Sequence, residues 1–199
     1  MTTTTFFLIR HAAHDNVGSY LAGRMDGVCL GDAGKAQATQ LGCRMAREPI
    51  AAILCSPRER TRETALPIAL ACGVGEIAIC AELDEIDFGD WSGKTFDELS
   101  GNAGWRAWND QRQEARTPNG ETMLDVQQRV VAVMNAVHEQ HQNQCVALVS
   151  HADVIKAAVC KVLGLPAGDC FRFDIDPASI TTIVSGDWGA KLIRLNEVA

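Results

Sequence analysis

Along this chain, short runs of purely apolar residues alternate with longer stretches of mixed polarity. Phe6 to Ile9 form the first run, which ends abruptly in Arg10-His11. A run this short and this apolar suits a strand buried on both faces, as in a parallel α/β sheet. Ile50 to Cys55 and Cys145 to Val149 repeat the pattern, and Ile77 to Cys80 is a shorter version. Between them lie helical patterns. One runs from Ala33 to about Arg47 behind Asp32 as cap and ends at Pro49. A second follows Ser56-Pro57, read as an N-cap with proline at the first helical position, and reaches about Cys72 with a bend expected at Pro67. The longest starts at Asn119-Gly120 and reaches about Gln142, with Val126, Val130, Val133, Met134 and Val137 as its apolar stripe. Another spans Ala152 to Leu163 and is closed by Gly164. The tail reads as short strands, Phe171 to Ile175, Ile180 to Ser185 and Lys191 to Leu195.

Two stretches break the alternation. Residues 12–30 are polar and glycine-containing, a loop. From Leu83 to Gly120, aromatics (Phe88, Trp91, Phe96, Trp105, Trp108) stand among glycines and acids. Long irregular segments of this kind are often lids or binding loops. The segment reads as a cap-like insertion around 83–120 within a single 1–199 domain, with Trp91, Trp105 and Trp108 expected over the pocket mouth; packing of the aromatics onto the body is the equal alternative.

Composition narrows the setting. At 199 residues the chain fits one domain with a full core. Its net charge of −7, without a Lys/Arg run, argues against nucleic-acid and membrane partners. Eight cysteines without a CxxC spacing exclude a zinc ribbon and suggest a reducing, cytoplasmic compartment. No signal-peptide pattern precedes the first strand. A homodimer is left open.

Candidate chemistry sits at three strand-to-loop junctions: Arg10-His11 after the first strand, Arg60 one turn past Ser56-Pro57 after the second, and His151 after the fourth. If these strands are parallel, their carboxyl ends share one sheet edge, where open α/β sheets bind ligands. Two guanidiniums, two imidazoles and two helix N-termini would then surround one pocket, an arrangement suited to phosphate. His11 and His14 are spaced HxxH. Helical HExxH geometry is absent, however, and two arginines oppose a dication, so neither a metal nor a cofactor is expected.

Six stretches together resemble the histidine phosphatase superfamily, in the branch that includes phosphoglycerate mutases. They are Leu8-Ile9-Arg10-His11; Gly23-Arg24-Met25-Asp26 with Leu30 to Gly34 and Gln37-Ala38; Cys55-Ser56-Pro57 to Arg60 with Thr64-Ala65; Leu83 to Gly93; Gly120-Glu121-Thr122; and Val149-Ser150-His151. The resemblance implies a three-layer α/β/α sandwich with a mostly parallel central sheet and a small cap. It implies His11 as nucleophile, with Arg10, Arg60 and His151 on the phosphoryl oxygens and Glu85 as general acid, then base. Arg24, His14 and Asn16 are expected to shape the substrate site. Alanine stands at 12 and 152, where the family usually has glycine after each histidine. The expected activity is metal-independent hydrolysis of a small phosphomonoester. A mutase, or a weakly catalytic binding module on the same fold, is the alternative, and the substrate is left open.

Overall fold

The computed structural model describes residues 2–199. Strands β1 (Thr3–Arg10), β2 (Ile50–Cys55), β3 (Ile77–Ile79), β4 (Cys145–Ser150), β5 (Ser179–Gly186) and β6 (Gly189–Val198) form one sheet in the order β3-β2-β4-β1-β5-β6. The first four are mutually parallel, and β5 and β6 add antiparallel at the β1 edge. Side chains alternate along β1, and both faces are covered. Phe6 and Leu8 enter the core shared with α5 (Met123–Gln140) and α6 (Ala152–Leu163). Phe7 and Ile9 enter the core shared with α1 (Asp32–Met45) and α2 (Glu59–Cys72). Two buried faces explain why the strand is apolar without alternation in its sequence. The result is a helix–sheet–helix sandwich of the expected class.

Register sets the site. β4 lies between β2 and β1, and its end carbonyls capture both neighbours: Ser56 N donates to Val149 O (3.0 Å) and His11 N to Ser150 O (2.9 Å). The three junctions are thereby level to within a residue. The loop leaving β1 is pinned from below by α1. Ala13 N donates to Gln37 Oε1, and a Cβ on Gly34 would lie 1.8 Å from the Ala13 carbonyl oxygen, so only glycine allows this approach.

Several local expectations are corrected. Asp32 is inside α1, and the cap position is Gly31, whose extended backbone lies against Asp15. Helix α2 starts at Glu59, three residues after Ser56, because the Ser56 hydroxyl is engaged with Asp84 and His151 and does not cap. It then runs through Pro67 as one helix. The longest helix starts at Met123: Asn119 has a left-handed φ of 60°, and Thr122 with Asp125 forms a capping box. Residues from Phe171 to Ile175 form no strand. A 3-10 helix covers Ala167–Arg172, and the Ile175 carbonyl is used by Arg10 instead of a sheet partner.

Segment 83–120 contains the short helices α3 (Phe96–Ser100) and α4 (Ala103–Asp110). Trp91 and Trp108 do not stand at a solvated rim. Trp91 and Trp108 are 2% and 1% exposed and share the core of Phe6 and α5, with Trp105 packed on them. Large rings gain more from burial here than from a place at a solvated rim.

Candidate active site

His11 and His151 come from adjacent strands, and their rings meet edge to face with centroids 5.2 Å apart. His11 is almost fully buried. Its Nδ1 lies 2.8 Å from the Ala12 carbonyl oxygen. A carbonyl only accepts, so Nδ1 carries the hydrogen and Nε2 keeps its lone pair. Burial, then Arg60 and Arg10, holds the His11 imidazole well below its ordinary range, so it is neutral at pH 7. A neutral imidazole with a free Nε2 is a nucleophile.

The cations around it are anchored at one end and free at the other. Arg60 is 1% exposed and donates through Nη2 to the Gly23 carbonyl (2.7 Å) and to His151 Nδ1 (3.2 Å). Its Nε and Nη1 are buried without a partner. Arg10 donates through Nη1 to the Ile175 carbonyl (2.6 Å), and its Nε is likewise buried and unpartnered. Unpaired buried donors are costly unless a ligand takes them. Their fork geometry matches phosphate oxygens.

Glu85 faces the same space, with Oε2 3.8 Å from His151 Nδ1. Burial first, then the nearby Asp153 carboxylate, raises it to about 7, against the opposing pull of Arg60, the Ile86 N–H and Arg10. A carboxyl titrating near neutrality can both give and take a proton in one cycle. Ala12 and Ala152 have ordinary backbone φ, and Ala12 N donates to Thr64 Oγ1 (2.9 Å), so the missing glycines leave no strain there.

The remaining expected residues divide. His14 is nearly buried, stacks on His11 with centroids 5.9 Å apart, and leaves Nδ1 unpartnered. Asn16 is exposed and, with His14 and Tyr20, lines a cavity of about 260 Å³. Arg24 is already engaged: it donates to the Glu85 carbonyl (2.8 Å) and Glu121 Oε2 (2.9 Å), and Asp87 lies at 3.5 Å. It braces the segment carrying Glu85 while staying 32% exposed. Among the described residues, no group of three His, Cys, Asp or Glu side chains is arranged to hold a metal ion.

The sequence profile of the Histidine phosphatase superfamily (branch 1) matches residues 6–198. The chain belongs to this superfamily. Phosphoserine phosphatase 1 of Hydrogenobacter thermophilus is 33% identical over 193 residues, 95% of this chain and 90% of that protein. The probable phosphoglycerate mutase GpmB of Salmonella arizonae is 33% identical over 180 residues, 89% of this chain and 83% of that protein. Among solved structures, the alpha-ribazole phosphatase of Shigella flexneri is similar with a TM-score of 0.86 at 29% identity, covering 98% of this chain and 97% of that one. This histidine phosphatase thus has both phosphatases and mutases among its relatives. Among the described residues, no helix is long and apolar enough to cross a membrane.

The sequence reading missed Ser56, Arg58, Asp84 and Asp153 as parts of this site. Ser56-Pro57 carries a capping signal, and Asp84 stands in the sequence as an acid directly before Glu85. Their partners lie on other elements, and no spacing in the chain announces them.

Proposed function

We propose that the protein is a metal-independent phosphatase that hydrolyses small phosphomonoesters through a phosphohistidine on His11. One observation carries this reading: the unpartnered Arg60 Nε and Nη1 and Arg10 Nε surround a neutral His11 whose Nε2 has a free lone pair. In the first step the Nε2 lone pair forms a bond to phosphorus, the ester P–O bond breaks, and the Glu85 carboxyl gives its proton to the leaving oxygen. In the second, the Glu85 carboxylate takes a proton from water, whose oxygen attacks phosphorus. The P–N bond breaks, His11 is regenerated with its Nε2 lone pair, and inorganic phosphate is released. Arg10, Arg60 and His151 hold the three non-bridging oxygens, where charge develops. His14, Asn16 and the exposed edge of Arg24 contact the rest of the substrate. Residues 1–199 work as one domain, in which segment 83–120 delivers Glu85 as a cap-like insertion. The eight free cysteines support a cytoplasmic setting. The mutase relatives support a second outcome, return of the phosphoryl group to substrate, which a phosphoglycerate mixed with its bisphosphate detects.

Single-turnover phosphoenzyme formation tests the assignment. His11→Ala is expected to form none. An alkoxide leaves badly without a proton and a nitrophenolate leaves readily. Glu85→Gln should therefore slow transfer from an alkyl phosphate by roughly 10²- to 10⁴-fold and from an aryl phosphate far less. Arg60→Ala should slow both, because the charge it meets develops whatever leaves. Equal slowing of both esters by Glu85→Gln would remove Glu85 as the acid. A preparation inactivated by chelator and restored by zinc or magnesium would overturn the metal-independent reading.

A further inference from the structure

Behind the phosphoryl-facing groups runs a second chain of polar side chains, and it ends on His151. This ring is fully buried, and its two nitrogens face opposite ways. Nδ1 faces the reaction space, 3.2 Å from Arg60 Nη2 and 3.8 Å from Glu85 Oε2. Nε2 faces away, 2.8 Å from Ser56 Oγ and 3.7 Å from Asp84 Oδ1. The Ser56 hydroxyl in turn reaches Asp84 Oδ1 at 3.2 Å. Asp84 also accepts from Arg58, whose Nε lies 3.1 Å from each carboxylate oxygen and whose Nη2 lies 3.0 Å from Oδ2, and from the Glu85 backbone N–H at 2.8 Å. Arg58 is held by Asp26 (2.8 Å) and by the Arg24 carbonyl.

Counting hydrogens along this chain leaves one arrangement. A carboxylate only accepts, so the single Ser56 proton points to Asp84 and the Ser56 oxygen accepts from His151 Nε2. A guanidinium only donates, so Nδ1 of a neutral His151 accepts from Arg60. Both ends require the hydrogen on Nε2. The site-facing Nδ1 is then the only place where the ring can take up a proton, and the resulting positive charge faces Asp84 through Ser56.

We propose that Ser56 and Asp84, braced by Arg58, are positioning residues that keep His151 a donor at Nε2 and support its cationic form when a phosphoryl group occupies Nδ1. The proposal rests on the reading of His151 as a phosphoryl ligand. Without an anion the ring is held neutral: burial, Arg60, His11, Arg129 and Arg10 all oppose its charge. A bound phosphate monoanion changes the balance. Its P–OH proton passes to Nδ1, the P–O⁻ so formed accepts back from Nδ1–H, and no other reactant is needed. Asp84 and Glu85 are the carboxylates facing the ring, and Asp84 is the one on the Nε2 side.

Histidine ring ¹⁵N spectroscopy reads this directly, since the chain has five histidines and a His151→Gln spectrum assigns the one in question. Inorganic phosphate is the probe. In the unsubstituted protein, Nδ1 of His151 should move from the unprotonated to the protonated range as phosphate saturates. In Asp84→Asn and Ser56→Ala it should stay unprotonated, with kcat for an aryl phosphate falling roughly ten- to a hundredfold, the scale of a lost hydrogen bond to a charged group. Ser56→Ala removes one hydroxyl and carries the test alone should Asp84→Asn fail to fold. If Nδ1 becomes protonated equally in all three proteins, the positioning role is overturned, even where melting temperature drops. If Nδ1 of the unsubstituted protein ignores phosphate while His11 still forms a phosphoenzyme, it is the reading of His151 that fails, and the proposal with it.

Discussion

At the scale of single residues, the site works by pushing protonation states apart. His11 is kept neutral by burial and two guanidiniums, whereas Glu85 is kept protonated up to about 7 by burial and Asp153. The proposed nucleophile and the proposed acid are thus both in their active forms on the acid side of neutrality. For an alkyl phosphate, kcat/KM should fall as pH rises through about 7, because the free enzyme loses the Glu85 proton. His11 causes no loss near neutrality, since it gains a proton only well below 6.5. Phosphoenzyme formation from an aryl ester should lack the falling limb. A pH–rate series with both ester types measures this, and a shared limb would point to another group.

At the scale of elements, the sandwich holds its chemistry at strand ends and its aromatics inside. The segment between β3 and α5 carries Glu85 near its start, so it has to be held firmly. Trp108 supplies much of that hold. It packs against Phe88, Trp91 and Trp105, and the Arg112 guanidinium lies 4.2 Å from its ring centre. Arg112 also reaches Asp153 at 3.2 Å, linking this packing to the carboxylate that raises Glu85. Trp108→Ala should cost about 3–5 kcal/mol in denaturant unfolding. Its activity loss should follow the leaving group, as for Glu85, and be indifferent to the rest of the ester, because the ring is 1% exposed. A change in substrate preference at unaltered stability would return the segment to the role of a specificity lid.

At the scale of the whole molecule, the site's protonation states set how stability responds to acid. His11 and His151 both have folded-state values depressed by burial, so below about 6.5 the unfolded chain binds their protons and the native protein does not. Glu85 does the reverse, binding a proton in the native protein between its ordinary 4.5 and about 7. Below about 6.5 the histidines therefore make stability fall on acidification, and Glu85 opposes that fall between its ordinary 4.5 and about 7. Glu85→Gln removes the one opposing proton and should steepen the fall between pH 5 and 6 by about 1.4 kcal/mol per pH unit. Urea unfolding at several pH values between 5 and 6 checks both slopes, and an unchanged slope would mean Glu85 is ionised in the native protein.

Much of this was legible in the chain itself. The apolar runs of β1, β2 and β4 announce strands covered on both faces, because a residue buried on either side of a sheet has to be apolar whichever way it points. Arg10, His11, Arg60 and His151 follow from those runs, since the end of a buried strand is where a polar side chain first becomes affordable. Local polar chemistry was less legible. Ser56-Pro57 has the composition of a helix start, yet its hydroxyl belongs to His151, and Trp105 and Trp108 have the composition of a rim, yet they pack inward. Phe171 to Ile175 has the alternation of a strand but joins no sheet, and its first two residues lie in a 3-10 helix. The buried strands, the bodies of the main helices and the strand-end Arg10, His11 and His151 were determined by local pattern, through burial acting on each residue separately. The partner of each polar group was decided only in three dimensions. Hydrogen bonds and charges act over a few ångströms between residues 28 to 95 positions apart, as in Ser56 with Asp84 and His151, and no periodicity in the chain records such distances.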